Sequence, residues 1–162
     1  MNKNLVFTAT YNEVDNISTF LDIVLKIPNI DILIVDDNSP DKTGDTIKRY
    51  QKSHQNLFLV SRKGKEGLDS AHKFGFNFAK EKKYEKLITI DADLSHDPKI
   101  IPLFVESLNE NSFVIGSRYM KGASNDMKLF RYCLSYVGNK VIKLVLNIDT
   151  DEFTSSFRGF AL

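Results

Sequence analysis

Cysteine is almost missing from this chain. Cys133 stands alone among 162 residues, which excludes an internal disulfide and a cysteine metal cluster and makes a reducing compartment the simpler expectation. Long apolar runs are missing as well: no stretch approaches the roughly 20 residues that cross a bilayer, and the opening MNKNLVFTATYNE has no signal-peptide core. Any membrane contact is therefore expected to be peripheral. Charge of one sign is absent in sum, with Lys+Arg 22 against Asp+Glu 21, so net charge names no partner. His54, His72 and His96 offer no three-ligand zinc set. Without repeats or low-complexity linkers, residues 1–162 are expected to form a single domain.

What is present has a rhythm. Short β-rich runs, LVFTAT (5–10), DILIVDD (31–37), LFLVSR (57–62), KLITIDAD (86–93) and FVIGSRY (113–119), alternate with helix-like segments, the pattern of βαβ units. Their apolar residues are consecutive rather than alternating, as in strands covered on both faces of a largely parallel sheet. Asn16 or Ser18 is expected to cap the first helix, Ser39-Pro40-Asp41 to open the second, and Pro98 to begin the fourth. Leu129, Tyr132, Cys133, Tyr136, Val137, Val141, Leu144 and Val145 follow a helical spacing across 128–146. The final SSFRGFAL reads as the start of a further strand.

Ligands of open parallel sheets sit beyond the carboxyl ends of the strands, and there the polar residues gather. The five runs end in Tyr11-Asn12-Glu13, Asp36-Asp37-Asn38-Ser39, Arg62-Lys63, Asp91-Ala92-Asp93 and Ser117-Arg118-Tyr119. Carboxylates hold hard divalent cations, and arginine forks clamp phosphate, so this mixture suits a metal-bound phosphate ligand. Alone, Asp36, Ser39 and Asp41 read equally well as turn or cap residues, and Arg62, Lys63 and Lys65 as a solvated charge run. Asp97 precedes Pro98 and reads as a helix cap.

Taken together, TYNEVDNI (10–17), IVDDNSPDKTGD (34–45), IDADLSHDPKIIP (90–102) and GSRYMKG (116–122), with KEGLDSA (65–71) and TSSFRGF (154–160), resemble family 2 glycosyltransferases of GT-A type. Within them the similarity is greatest to dolichyl- or polyprenyl-phosphate mannosyltransferases. The resemblance implies a Rossmann-like three-layer α/β/α fold with a mainly parallel sheet. Relatives continue further, so the family's C-terminal portion is expected to be lacking here. Ala9 stands in place of a usual proline, while Asp69 and Ser156 replace glycines.

The roles that follow are those the resemblance implies. Ala9, Tyr11 and Glu13 would cradle base and ribose, with Val35 and Asp37 completing that pocket. Asp91, Ala92 and Asp93 match the D-x-D signature, so Asp91 and Asp93 would hold Mg²⁺ or Mn²⁺ on the diphosphate, with Ser95 a further oxygen nearby. Arg118 would contact phosphate; Arg131 and Ser135, four apart on one helix face, would contact the acceptor phosphate beside Lys128. Asp93, Arg118 and Arg131 are thus the expected catalytic residues.

The implied partners are a sugar-nucleotide donor, foremost GDP-mannose, and a polyprenyl phosphate at the cytoplasmic membrane face, with no nucleic acid. Apart from the family, the segment from Arg118 to Lys143 contains Arg118, Lys121, Lys128, Arg131, Lys140 and Lys143 against one acid, Asp126, beside an apolar helix face, a bias suited to anionic lipid. Glu152 falls near the catalytic acid of hydroxyl-transferring relatives and keeps a glycan or lipid hydroxyl open as acceptor. A non-catalytic sugar-nucleotide binder is a further reading. ILIVDDN also resembles phosphoacceptor receivers, with Asp91 or Asp93 as acceptor, and DADLS the haloacid-dehalogenase phosphatases.

Overall fold

The structure, a computed structural model, describes residues 3–117, 129–147, 150 and 152–162, without the side chains of 129–133 and 146. The apolar runs form β1 (Asn4–Thr10), β2 (Ile30–Asp36), β3 (Leu57–Ser61), β4 (Lys86–Thr89) and β5 (Phe113–Ile115). Between them lie α1 (Val14–Val24), α2 (Thr43–Gln51), α3 (Leu68–Glu81) and α4 (Ile101–Ser107), and later α5 (Leu129–Leu146) and β6 (Arg158–Ala161). Among the described residues the strands form one sheet in the order β3-β2-β1-β4-β6-β5. β1 pairs in parallel with β2 and β4, and β2 with β3. The expected α/β fold with a mainly parallel sheet is therefore the one observed. The final strand differs in sense: β6 lies antiparallel to β4, pairing Lys86 with Ala161 and Thr89 with Arg158.

Burial on both faces explains the continuous apolar runs. All seven residues of β2 are buried. Side-chain alternation sends Val6, Ile32, Ile34 and Ile88 into one core with Ile17, Phe20, Leu21 and Val24 of α1, Ile47 of α2 and Phe104 of α4. Leu5, Phe7, Leu33, Val35 and Leu87 go into the other core, with Ala71 and Ala79 of α3. A Cβ on Gly75 would stand 2.6 Å from the Phe7 ring, so α3 approaches β1 this closely only with glycine there.

The helices start where tertiary partners allow. Asp41 serves two at once: Oδ2 accepts from Val14 N at 2.9 Å, and Oδ1 from Thr43 N at 3.0 Å. One carboxylate thus fills the role expected of Asn16 or Ser18, and α2 begins at Thr43 rather than in Ser39-Pro40-Asp41. Burial pushes the Asp41 carboxyl upward, but the bonds from Thr43 and Val14 outweigh it and leave the pKa below 3.8. Pro98 opens a 3-10 turn (Pro98–Ile100) leading into α4, with Asp97 accepting from Lys99 N at 3.0 Å.

The chain divides into two compact units, Met1–Val114 with Phe157–Leu162, and Ile115–Ser156. The second contains α5, where Leu134, Val137, Val141, Leu144 and Val145 are exposed while Asn139 is buried. Buried Asn139 donates to Glu152 Oε1 at 3.3 Å and accepts from Phe153 N at 3.0 Å.

At the sheet's amino end, buried Tyr84 donates to buried Asp31 Oδ2 at 2.7 Å. Burial, then this bond, raises the phenol above its usual 10.0. Because the folded state favours the protonated phenol, its stabilisation is complete below pH 10 and declines as pH rises through the higher folded value. Tyr84→Phe is expected to cost about 1–3 kcal/mol at pH 7 by removing a donor from a buried carboxylate. It should also show a shallower stability decline above pH 10 than wild type, both read by urea unfolding.

Candidate active site

The carboxyl ends of β1, β2, β3 and β4 form one rim. At the end of β2, Asp36 and Asp37 are 3% and 7% exposed and diverge. Asp36 accepts from Thr10 Oγ1 at 2.9 Å, Ser39 N at 3.0 Å and Ser39 Oγ at 2.5 Å, tying β1 to β2. Asp37 takes Arg62 Nη1 at 3.0 Å on one oxygen, and Glu66 N at 3.2 Å and Gly67 N at 3.0 Å on the other. It therefore clamps the whole β3–α3 loop. Gly67, at φ +88°, makes the turn into α3 in a left-handed conformation that a side chain would strain.

Arg62 departs from the solvated charge run that its neighbours suggest. Its side chain is 7% exposed and also donates to Ser70 Oγ at 2.8 Å. The exposed pairs Lys73–Asp69 and Lys48–Asp45 are worth little in water by comparison. Lys65 is exposed, as that run suggests, with its ammonium 4.0 Å from the centroid of the Tyr11 ring, which is 39% exposed. Beside Tyr11, Asn12 N donates to Ser39 Oγ at 3.1 Å and Glu13 N to Thr43 Oγ1 at 2.9 Å. Ala9 pairs in register with buried Val35.

Beyond β4, Asp91 is half-buried, Ala92 buried and Asp93 exposed. Asp93 Oδ1 accepts from Ser95 N at 2.9 Å, and Leu94 turns at φ 61°. Half-buried His72 of α3 lies within electrostatic reach: burial lowers its pKa below 6.5, Asp91 opposes this and Arg158 adds to it. Among the described residues no three His, Cys, Asp or Glu side chains form a ready metal cage. Two carboxylates nonetheless fit the expected ion, since Mg²⁺ is commonly held by one or two carboxylates with the rest from waters and substrate phosphates.

Arg118 and Lys128 lie outside the described residues, as does the side chain of Arg131. Ser135 is half-buried on α5. Glu152 is buried in its own unit, its Oε1 accepting from Thr154 N at 2.8 Å and Thr154 Oγ1 at 2.6 Å besides Asn139.

The chain matches the family Glycosyl transferase family 2 over residues 5–161. It belongs to that family. It is 30% identical over 96% of its length to the undecaprenyl-phosphate mannosyltransferase of Micrococcus luteus, covering 65% of that protein. With the polyprenol monophosphomannose synthase of Mycolicibacterium smegmatis it shares 29% over 98% of its length and 61% of the relative's. The chain thus spans less than two thirds of the length of these curated relatives. In fold it is similar to a mannosyltransferase from Pyrobaculum calidifontis solved with GDP-Man and Mn²⁺, at a TM-score of 0.65 and 20% identity, covering 99% of this chain and 44% of that one. The GT-A architecture implied by the rim motifs is thereby shown.

The clamp at Asp37 makes a direct prediction. Asp37→Ala strands a buried guanidinium and two loop amides, and is expected to cost about 3 kcal/mol in chemical denaturation. Hydrogen exchange should accelerate at Glu66 and Gly67 while core amides of β1 keep their relative protection. Unchanged exchange at those two amides would contradict the clamp.

Proposed function

We propose that this chain is the catalytic domain, residues 1–162, of an inverting glycosyltransferase that moves mannose from GDP-mannose to a polyprenyl or dolichyl phosphate. The observation that carries the reading is the pair Asp91 and Asp93, oxygen donors at the end of β4 on the rim that also bears Tyr11, Asp37 and Lys65. The family match running through both compact units supports reading them as one catalytic domain. The names of the curated relatives favour mannose and a polyprenyl phosphate.

Asp91 and Asp93 would hold Mg²⁺ or Mn²⁺, which when bound supplies positive charge to the departing diphosphate. An acceptor phosphate oxygen attacks the anomeric carbon as the bond to the diphosphate oxygen breaks on the opposite face, which inverts that centre. A phosphate monoester is mostly dianionic at neutral pH, its second pKa being near 6, so no protein base has to remove a proton. The bonds filling Glu152 Oε1 are in keeping with that. Arg118 is proposed to bind the donor phosphates, and Arg131 with Ser135 the acceptor phosphate, offsetting repulsion between two anions.

A lipid acceptor is favoured further by α5. Leu134, Val137, Val141, Leu144 and Val145 are exposed on one side of this helix, with Lys140 near the Tyr136 ring at 5.6 Å. An exposed apolar stripe edged by lysine suits the boundary between headgroups and acyl chains. No helix of the described residues is long and apolar enough to cross a membrane, and we place the protein peripherally at the cytoplasmic face.

Radiolabelled GDP-mannose with polyprenyl phosphate and Mn²⁺ is expected to give a lipid-linked product, and Asp93→Ala to lower its rate at least about 100-fold. Arg131→Ala should raise the KM for polyprenyl phosphate and leave that for GDP-mannose unchanged. Transfer to a sugar hydroxyl instead would favour the hydroxyl-acceptor reading, and donor binding without transfer a non-catalytic one. Separately, Val141→Glu combined with Leu144→Glu is expected to reduce co-sedimentation with anionic phospholipid vesicles; undiminished binding would remove α5 from the membrane contact.

A further inference from the structure

We propose that Asn139 and Glu152 are positioning residues for the acceptor phosphate: their buried pair fixes the rotation of α5 and thereby the direction in which positions 131 and 135 face. The inference rests on the polyprenyl-phosphate reading given above. Among the side chains described in α5, Asn139 alone is buried, at 2% exposed, and its partner Glu152 is 1% exposed. The amide uses both its functions, donating to Glu152 Oε1 at 3.3 Å and accepting from Phe153 N at 3.0 Å. Glu152 Oε1 in turn takes Thr154 N at 2.8 Å and Thr154 Oγ1 at 2.6 Å. The segment that grips Asn139 is therefore braced by the same carboxylate.

A polar anchor constrains a helix differently from an apolar one. Apolar contact is non-directional and tolerates some turning of the helix, whereas a hydrogen bond weakens steeply as it bends. A buried amide that gives one bond and accepts another holds α5 to one rotation, because turning away leaves buried polar groups unpaired. Positions 131, 135 and 139 are four apart and lie within about 80° of one another around the helix. Exposed Leu134, Val137, Val141, Leu144 and Val145 occupy another side. Fixing Asn139 thus fixes the face that carries positions 131 and 135.

The same geometry gives Glu152 a task that needs no charge. An amide oxygen at position 152 can accept the bonds that Oε1 accepts, whereas taking a proton from an acceptor hydroxyl requires a carboxylate there. Positioning and base catalysis therefore make opposite demands on Glu152→Gln.

The test measures mannose transfer from GDP-mannose to polyprenyl phosphate with Mn²⁺, varying each substrate, with the fold of every variant checked by circular dichroism. Asn139→Leu keeps the bulk and removes both bonds. It is expected to raise the KM for polyprenyl phosphate at least about tenfold and to leave that for GDP-mannose within about twofold. Simple loss of folded protein would instead lower the apparent kcat and move neither KM. Glu152→Gln should keep both KM values and the rate. Asn139→Asp, which removes the donor and sets two carboxylates together, should raise the acceptor KM, and adding Glu152→Gln should restore it by returning a donor to the pair. This exchange decides the matter if Asn139→Leu does not fold. An unchanged acceptor KM in the Asn139 variants, an equal rise in both KM values, or loss of transfer in Glu152→Gln overturns the positioning role and leaves the acceptor reading standing. Wild-type protein that does not transfer to polyprenyl phosphate overturns that reading and the positioning role with it.

Discussion

Two adjacent carboxylates removed from water govern this rim. Asp36 and Asp37 are both buried at the end of β2, and a buried carboxylate without donors is costly enough that the surrounding chain has to supply them. Strand alternation points the two in opposite directions. Asp36 draws in Thr10 and Ser39, fixing the turn beyond β1 and β2. Asp37 draws in Arg62 and the amides of Glu66 and Gly67, fixing the passage from β3 to α3. Tyr11 and Lys65 are carried on segments held by one or the other.

The fold was largely legible because burial on both faces leaves an unmistakable trace: IDILIVD contains no solvent-facing position to interrupt it. The rim was legible for the complementary reason, since charged and polar residues end each apolar run abruptly. What escaped were interactions whose partners lie far away in sequence. Nothing near Val14 signals that its amide is capped by Asp41, and nothing near Arg62 signals a carboxylate waiting at Asp37; read locally, Arg62 belongs to a solvated basic run. The antiparallel sense of β6 was equally hidden, because RGFA is too short to show which way it pairs.

Part of the backbone strain lies on the same rim. Asn12, Asn38 and Leu94, which follow β1, β2 and β4, all have positive φ. Asparagine tolerates this region, whereas a leucine there is disfavoured. Leu94 is retained against that cost by packing its side chain on the core, so the turn after Asp91-Ala92-Asp93 is held by apolar contact as well as by the Asp93–Ser95 bond. Strain of this kind gathers where a fold must present groups in a set arrangement.

The entry and exit of the second compact unit have an evolutionary consequence. Residues 115–156 depart from β5 and return through Phe157 into β6, and those two strands are neighbours in the sheet. An excursion that begins and ends at adjacent strands can lengthen, shorten or be replaced without re-threading the sheet, and each doubling of such a loop costs only about 0.6 kcal/mol in closure entropy. The first unit keeps its register regardless, anchored by the pairing of Lys86 with Ala161. The sheet unit can thereby keep its register while the excursion between β5 and β6 varies in length.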